Sequence, residues 1–162
     1  MLYKTKKYQF KTSLSEQEVY KILTDHTEEK RIRFSKSEYE FEGIVYKNSF
    51  KLEKTISGRN SFNPSIHGDF KSINHETIVT FNLKLNTFVV LFFTFWMSCV
   101  TLIAATSIVL IFNGTEDSTF GLVAIPMLAF GLLIYYIGTK IALNKIIETF
   151  EKLFNEKVIE LT

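Results

Sequence analysis

FVVLFFTFWMSCVTLIAATSIVLIF, residues 88–112, and STFGLVAIPMLAFGLLIYYIGT, residues 118–139, are the two apolar runs on which the reading of this chain turns. Neither contains Lys, Arg, Asp or Glu, and only Asn113-Gly114-Thr115-Glu116-Asp117 separates them. A helix needs about 20 residues to cross a hydrocarbon core of about 30 Å. Both runs exceed that length, so the sequence predicts a membrane hairpin with spans at about 88–112 and 118–139. The first run holds 15 Phe, Leu, Ile and Val residues, each favouring insertion by roughly 0.3 to 0.6 kcal/mol near a helix centre. The second has ten, together with Pro126, Gly121, Gly131 and Gly138, and is expected to lean on its neighbour.

Charge sets the expected orientation. Every Lys and Arg lies before Phe88 or from Lys140 onward, and the inter-span loop carries only Glu116 and Asp117. By the positive-inside rule both termini are cytoplasmic and the loop external. Trp96, Tyr135 and Tyr136 agree, since amphipathic rings favour the interface. No apolar segment follows the N-terminal Met1 to Lys7, so no signal peptide is expected and the first span serves as the insertion signal. Lys outnumbers Arg 16 to 3, which hints at an AT-rich bacterial genome. The only cysteine, Cys99, lies inside the first span, where a disulfide within one chain is excluded.

Residues 1–86 hold 15 of the 19 basic and 11 of the 17 acidic residues, a net of +4. This segment is long enough to bury a small core. Tyr8 and Phe10 alternate with Lys7, Gln9 and Lys11, the pattern of a half-buried strand. Ser15 and Glu18 then spell a capping box, with Leu14 and Val19 at hydrophobic-staple spacing, which predicts a helix starting at about Glu16. The charged stretch 27–36 reads as a loop or a fraying extension. From Glu38 the period is two, with apolar positions at Tyr39, Phe41 and Val45, then Phe50, Leu52 and Ile56, then Phe62, Ile66 and Phe70, then Val79, Phe81, Leu83 and Leu85. Turns are expected at Lys47-Asn48, Ser57-Gly58 and Asn74-His75. Pro64 and Gly68 predict that the third of these runs is broken, bulged or at a sheet edge.

Beyond the spans, Leu143, Ile146, Ile147, Phe150, Leu153, Phe154, Val158 and Leu161 recur at helical spacing and predict a separate amphipathic helix. The expected class is α+β: an antiparallel β-meander with a covering helix, a two-helix transmembrane hairpin and a C-terminal amphipathic helix. Its segments are 1–86, a cytoplasmic domain; 87–139, the hairpin; and 140–162, a cytoplasmic helix that packs onto the domain. The helix would then close a fold into which the hairpin is inserted.

No motif specifies a chemistry. Asn63, His67 and Asp69 cluster on the polar side of the third strand run, where an acid–base pair or a ligand could sit; the plainer reading is a solvated strand face. His26, His67 and His75 are scattered and lack zinc-ligand spacing. Thr94, Ser98, Thr101 and Ala105 in the first span, and Gly121, Ala124, Gly131 and Gly138 in the second, form small-residue stripes that allow helices to approach closely. Neither span holds a charge of the kind that marks an ion pathway. Lys4, Lys6, Lys7, Lys11, Lys30, Arg31 and Arg33 are near-surface candidates for anionic lipid, although interleaved acids dilute them. Asn113-Gly114-Thr115 reads as a tight turn rather than a glycosylation site.

The expectation is a multi-pass cell-membrane protein, non-enzymatic, whose cytoplasmic domain is an interaction or regulatory module. A subunit of a transport or secretion complex and a membrane-anchored hydrolase or ligand-binding domain are the alternatives. The expected partners are the lipid bilayer and a membrane-protein partner or a second copy. No cofactor, metal or nucleic acid is expected.

Overall fold

Residues 5–30, 37–55, 61–114 and 123–161 are described by a computed structural model of the chain. The chain divides into two units, Tyr3–Asn86 with Ile141–Thr162, and Thr87–Lys140.

Among the described residues, the first unit is built on a seven-stranded sheet. It opens with β1 (Lys6–Thr12), whose alternation buries Tyr8, Phe10 and Thr12. Helix α1 (Glu16–Asp25) follows. Ser15 is its N-cap: the Glu18 backbone N–H donates to the Ser15 hydroxyl, and the Glu18 carboxylate accepts from the Ser15 backbone N–H at 2.8 Å. Two otherwise unsatisfied donors are thereby paired. The helix starts at Glu16, where the capping box puts it.

Then come β2 (Thr27–Glu28), β3 (Phe41–Val45), β4 (Ser49–Lys54), β5 (Ser65–Ile73) and β6 (Glu76–Lys84). Strands β3 to β6 pair as a consecutive antiparallel meander. Asn74 and His75 both take positive φ, 52° and 67°, the two-residue turn whose twist suits a hairpin. The Tyr46 N–H donates to the Ser49 carbonyl at 2.7 Å and closes the Lys47-Asn48 turn. The turn expected at Ser57-Gly58, with Ile56, lies outside the described residues.

Several expectations are corrected. Thr27 and Glu28 are not loop but pair in parallel with Phe41 and Glu42; residues 31–36 lie outside the described residues. The third run is interrupted at Pro64, as expected, but it is neither at an edge nor bulged: β5 is a nine-residue strand between β4 and β6, and its register passes through Gly68 without a bulge. Gly68 is there because a Cβ would stand 2.3 Å from the Phe50 ring. Pro64 sits just before the strand, and Phe62 lies in a turn, so the missing Pro N–H costs no ladder bond.

The sheet order is β2-β3-β4-β5-β6-β1-β7, with the last strand, β7 (Ile159–Leu161), paired antiparallel to β1. One sheet face carries the core. Phe10, Phe41, Phe50, Leu52, Ile66, Phe70, Val79, Phe81 and Leu83 are buried there with Val19 and Leu23 of α1 and with Leu143, Ile146, Phe150 and Phe154. Phe150 is the hub: its ring lies 4.6 Å from Phe81, 5.2 Å from Phe41 and 6.0 Å from Phe50.

Those last four residues belong to α3 (Ala124–Phe154), a single helix of 31 residues. The second apolar run and the C-terminal stripe are therefore not separate elements, because nothing between Gly138 and Ala142 stops a helix. The stripe also ends early. Asn155 adopts φ 52°, a left-handed position that terminates helices, so Val158 and Leu161 lie beyond α3, and Leu161 joins β7.

The second unit contains α2 (Thr87–Phe112) and the first part of α3, the two helices long and apolar enough to cross a membrane. Phe93, Val100, Ala104 and Ser107 are buried along α2, and Ala124 and Tyr135 along α3. Phe93 stacks on Tyr135 with centroids 4.8 Å apart. A Cβ on Gly131 would stand 2.6 Å from the Trp96 ring, so the glycine permits the close approach there.

Candidate functional site: the open face of the sheet

Because α1 and the C-terminal part of α3 bury their side chains against one face of the sheet, the opposite face carries its polar residues uncovered. Cross-strand register arranges them in rows. One row runs Leu161, Lys7, Asn82, His67, Lys51, Ile44, each residue directly paired with the next. The adjacent row runs Ile159, Gln9, Thr80, Asp69, Ser49. Beyond the first row on its other side stand Lys84, Ser65, Glu53 and Glu42.

The three residues singled out in the sequence are not brought together. Asn63 precedes β5 and donates through Nδ2 to the Lys54 carbonyl at 2.8 Å, which ties down the strand entry. His67 and Asp69 share a face of β5 but sit in successive rows, and among the described residues no hydrogen bond joins them. The neighbours of His67 are instead Lys51 and Asn82 directly across, with Lys84 on the diagonal. Lys51, Asn82 and Lys84 are the residues that sequence reasoning missed, and Lys7, taken there only as a lipid candidate, joins them. Each was visible as an outward position, but only pairing shows that they converge.

This centre is electropositive. Partial burial, followed by the ammonium groups of Lys51 and Lys84, lowers the His67 pKa from 6.5, with Glu53 opposing. Several acids are already engaged: Glu53 with Lys30 at 2.7 Å, Glu76 with Lys11 at 3.6 Å, and Glu160 with Lys6 at 2.9 Å. Among the described residues Lys7, Lys51, Lys71 and Lys84 make no ion pair.

A cleft of about 360 Å³ is lined by His26, Glu40, Lys54, Lys145, Glu148, Thr149, Lys152 and Leu153. It brings three lysines, Lys54, Lys145 and Lys152, beside two glutamates, Glu40 and Glu148. Lys54 pairs with Glu40, and this contact, ahead of the more distant Lys152 and His26, holds the Glu40 carboxyl below its usual range. His26 Nδ1 lies 2.8 Å from the Ile22 carbonyl, so this nitrogen carries the proton in the neutral ring. Among the described residues no three His, Cys, Asp or Glu side chains gather as a metal-ligand group.

In the second unit Thr94, Ser98, Thr101 and Ala105 face outward on α2. The first three hydroxyls donate to carbonyls of their own helix, to Val90, Thr94 and Met97 at 2.7, 2.9 and 2.8 Å. Ala124 and Gly131 are buried and Gly138 half-buried, while Gly121 lies outside the described residues. Cys99 is half-buried in α2. Comparison with family models, with curated proteins and with solved structures finds no match to this chain.

Proposed function

We propose that this chain is a two-span membrane protein whose α+β domain is a non-enzymatic interaction module, held at the cytoplasmic side of the bilayer, with the open face of its sheet as the binding surface. The observation that carries the reading is that face: α1 and α3 both pack on the other side, leaving in the open lysines on β1, β4, β5 and β6 that make no ion pair among the described residues. An uncovered sheet face with a charged centre is a recognition surface in search of a complementary one. The hydrolase alternative needs His67 and Asp69 to act on one reacting group, and their places in successive rows, with no bond between them, favour recognition instead.

Two measurements test the proposal. With Cys99 replaced by Ala, a cysteine at Glu116 should react with an impermeant maleimide in intact cells, and one at Lys157 should be protected; the reverse pattern overturns the orientation. A photo-crosslinking side chain at Asn82, on the open face, should give discrete adducts that one at Tyr20, on α1, does not. Equal adducts at both positions, or none at Asn82, would remove the open face as the binding surface.

A further inference from the structure

The Lys7, Asn82, His67, Lys51 row has a property that a merely solvated face does not need. Directly paired side chains on a sheet have Cβ atoms about 4.5–5.5 Å apart and diagonal ones about 7–8 Å apart, and like charges directly opposite are destabilising. Here Lys51 stands directly across from His67. Lys84 approaches His67 on the diagonal, two residues along β6 from Asn82. Lys7 closes the row beyond Asn82. These groups offer three ammoniums, an imidazole that becomes a double donor on protonation, and an amide NH₂. Of the carboxylates near them, Glu53 is held by Lys30 at 2.7 Å, while Asp69 on β5, directly across from Ser49 and Thr80, and Glu42 on β3 each stand on a diagonal of Lys51.

We infer that this row binds a phosphoryl oxyanion, with Lys51, Lys84 and protonated His67 supplying the charge and Asn82 a neutral donor. The inference rests on the open face being the binding surface and names the chemistry it recognises. Several oxygens on one tetrahedral group can accept from donors that arrive from three adjacent strands, which a single carboxylate matches less well. Charge-assisted bonds to an oxyanion also shorten and strengthen relative to neutral ones. The anion relieves the repulsion between Lys51 and His67, so binding and protonation of His67 favour each other. The groups facing His67 that enter this coupling are Lys51 on β4, Lys84 on β6, Lys7 on β1, and the acids Asp69 and Glu53. The phosphoryl group has two available sources, a soluble phosphorylated compound or a phospholipid headgroup.

The test is a histidine NMR titration of the full chain in phosphatidylcholine nanodiscs, comparing inorganic phosphate with chloride at equal ionic strength. The His67 midpoint should rise by about one pH unit in phosphate, a tenfold gain in proton affinity, while His75 in the β5–β6 turn does not move. The shift should vanish in the double variant K51Q and K84Q, whose β5 amides keep their exchange protection as proof of folding. Repeating the titration in chloride with phosphatidylglycerol nanodiscs separates the sources, since a shift there identifies a headgroup. An unmoved His67 in both phosphate and phosphatidylglycerol overturns the proposal, as does a phosphate shift that survives K51Q and K84Q. If the proposal fails while crosslinks persist at Asn82, the interaction surface stands and only its oxyanion chemistry falls.

Discussion

Phe150 of α3 stacks on Phe81 of β6, with ring centroids 4.6 Å apart and planes inclined by 19°. Between these two residues in the sequence lies the whole apolar hairpin. The sheet core is therefore incomplete until the chain has passed through both long helices and returned. Offset stacking of buried rings adds about 0.5–1.5 kcal/mol to the area they bury.

Phe150→Ala should accordingly cost about 3–5 kcal/mol, a large share of the stability of an ordinary domain. Urea unfolding followed through the sheet amides measures it. Removing residues 144–162 should go further and abolish protection of the sheet while both long helices remain in the membrane fraction. A sheet that keeps full protection after truncation would show that the final helix serves something other than this core.

Gly131→Leu should destabilise the hairpin more than Leu133→Ala. Gly131 is buried where a Cβ would stand 2.6 Å from Trp96 and 3.0 Å from the Met97 sulfur, whereas Leu133 is 52% exposed. Thermal unfolding in a mild detergent ranks the two variants, and equal losses would mean that the close approach at Gly131 does not matter to the hairpin.

Gly68→Ala places a methyl group into the Phe50 ring, whose nearest atom is 2.3 Å from the new Cβ. Phe50 also packs against Phe70 and Phe150, at 6.4 and 6.0 Å, so it has little room to retreat. Overpacking of this kind costs about 1–3 kcal/mol. The variant should melt earlier, and the further change Phe50→Leu should restore part of the loss; an unchanged midpoint for Gly68→Ala would show that the ring rotates aside freely.

The lowered pKa of His67 has a definite sign. The unfolded chain, with its imidazole near 6.5, binds a proton more readily than the folded one. Stability therefore falls as pH drops from above 6.5 through the folded-state value, and below both values the loss is complete. In phosphate-free buffer the urea midpoint should drop more between pH 7.5 and pH 5 for the native protein than for His67→Gln. Glu40 acts in the same direction in a lower window: its carboxyl is held below 4.5 by Lys54, so the contribution of this pair is lost as pH falls through the folded-state value.

Local chemistry left its mark wherever the deciding interaction is short in sequence. Ser15 and Glu18 are three residues apart and announce the start of α1. Asn74-His75 announces a turn, and the alternation through Val79, Phe81 and Leu83 announces one wet and one buried face. The uncharged runs announce helices long enough to cross a membrane. What these signals lack is any record of neighbours. Gly68 read as a bulge because its reason for being glycine is the Phe50 ring on another strand. Spacing likewise does not record that Thr94, Ser98 and Thr101 in the small-residue stripe of α2 face outward and donate to carbonyls of their own helix. Leu161 continued a helical stripe on paper, but Asn155 ended the helix and the free edge of β1 took the remaining residues into the sheet. The same limit explains the candidate site. Amino-acid order alone determined that Lys7, Lys51, His67, Asn82 and Lys84 would be outward residues on strands. Only the register across β1, β6, β5 and β4 decided that they stand side by side, because register is set by the apolar face and the turns together and not by the outward residues that pairing brings together.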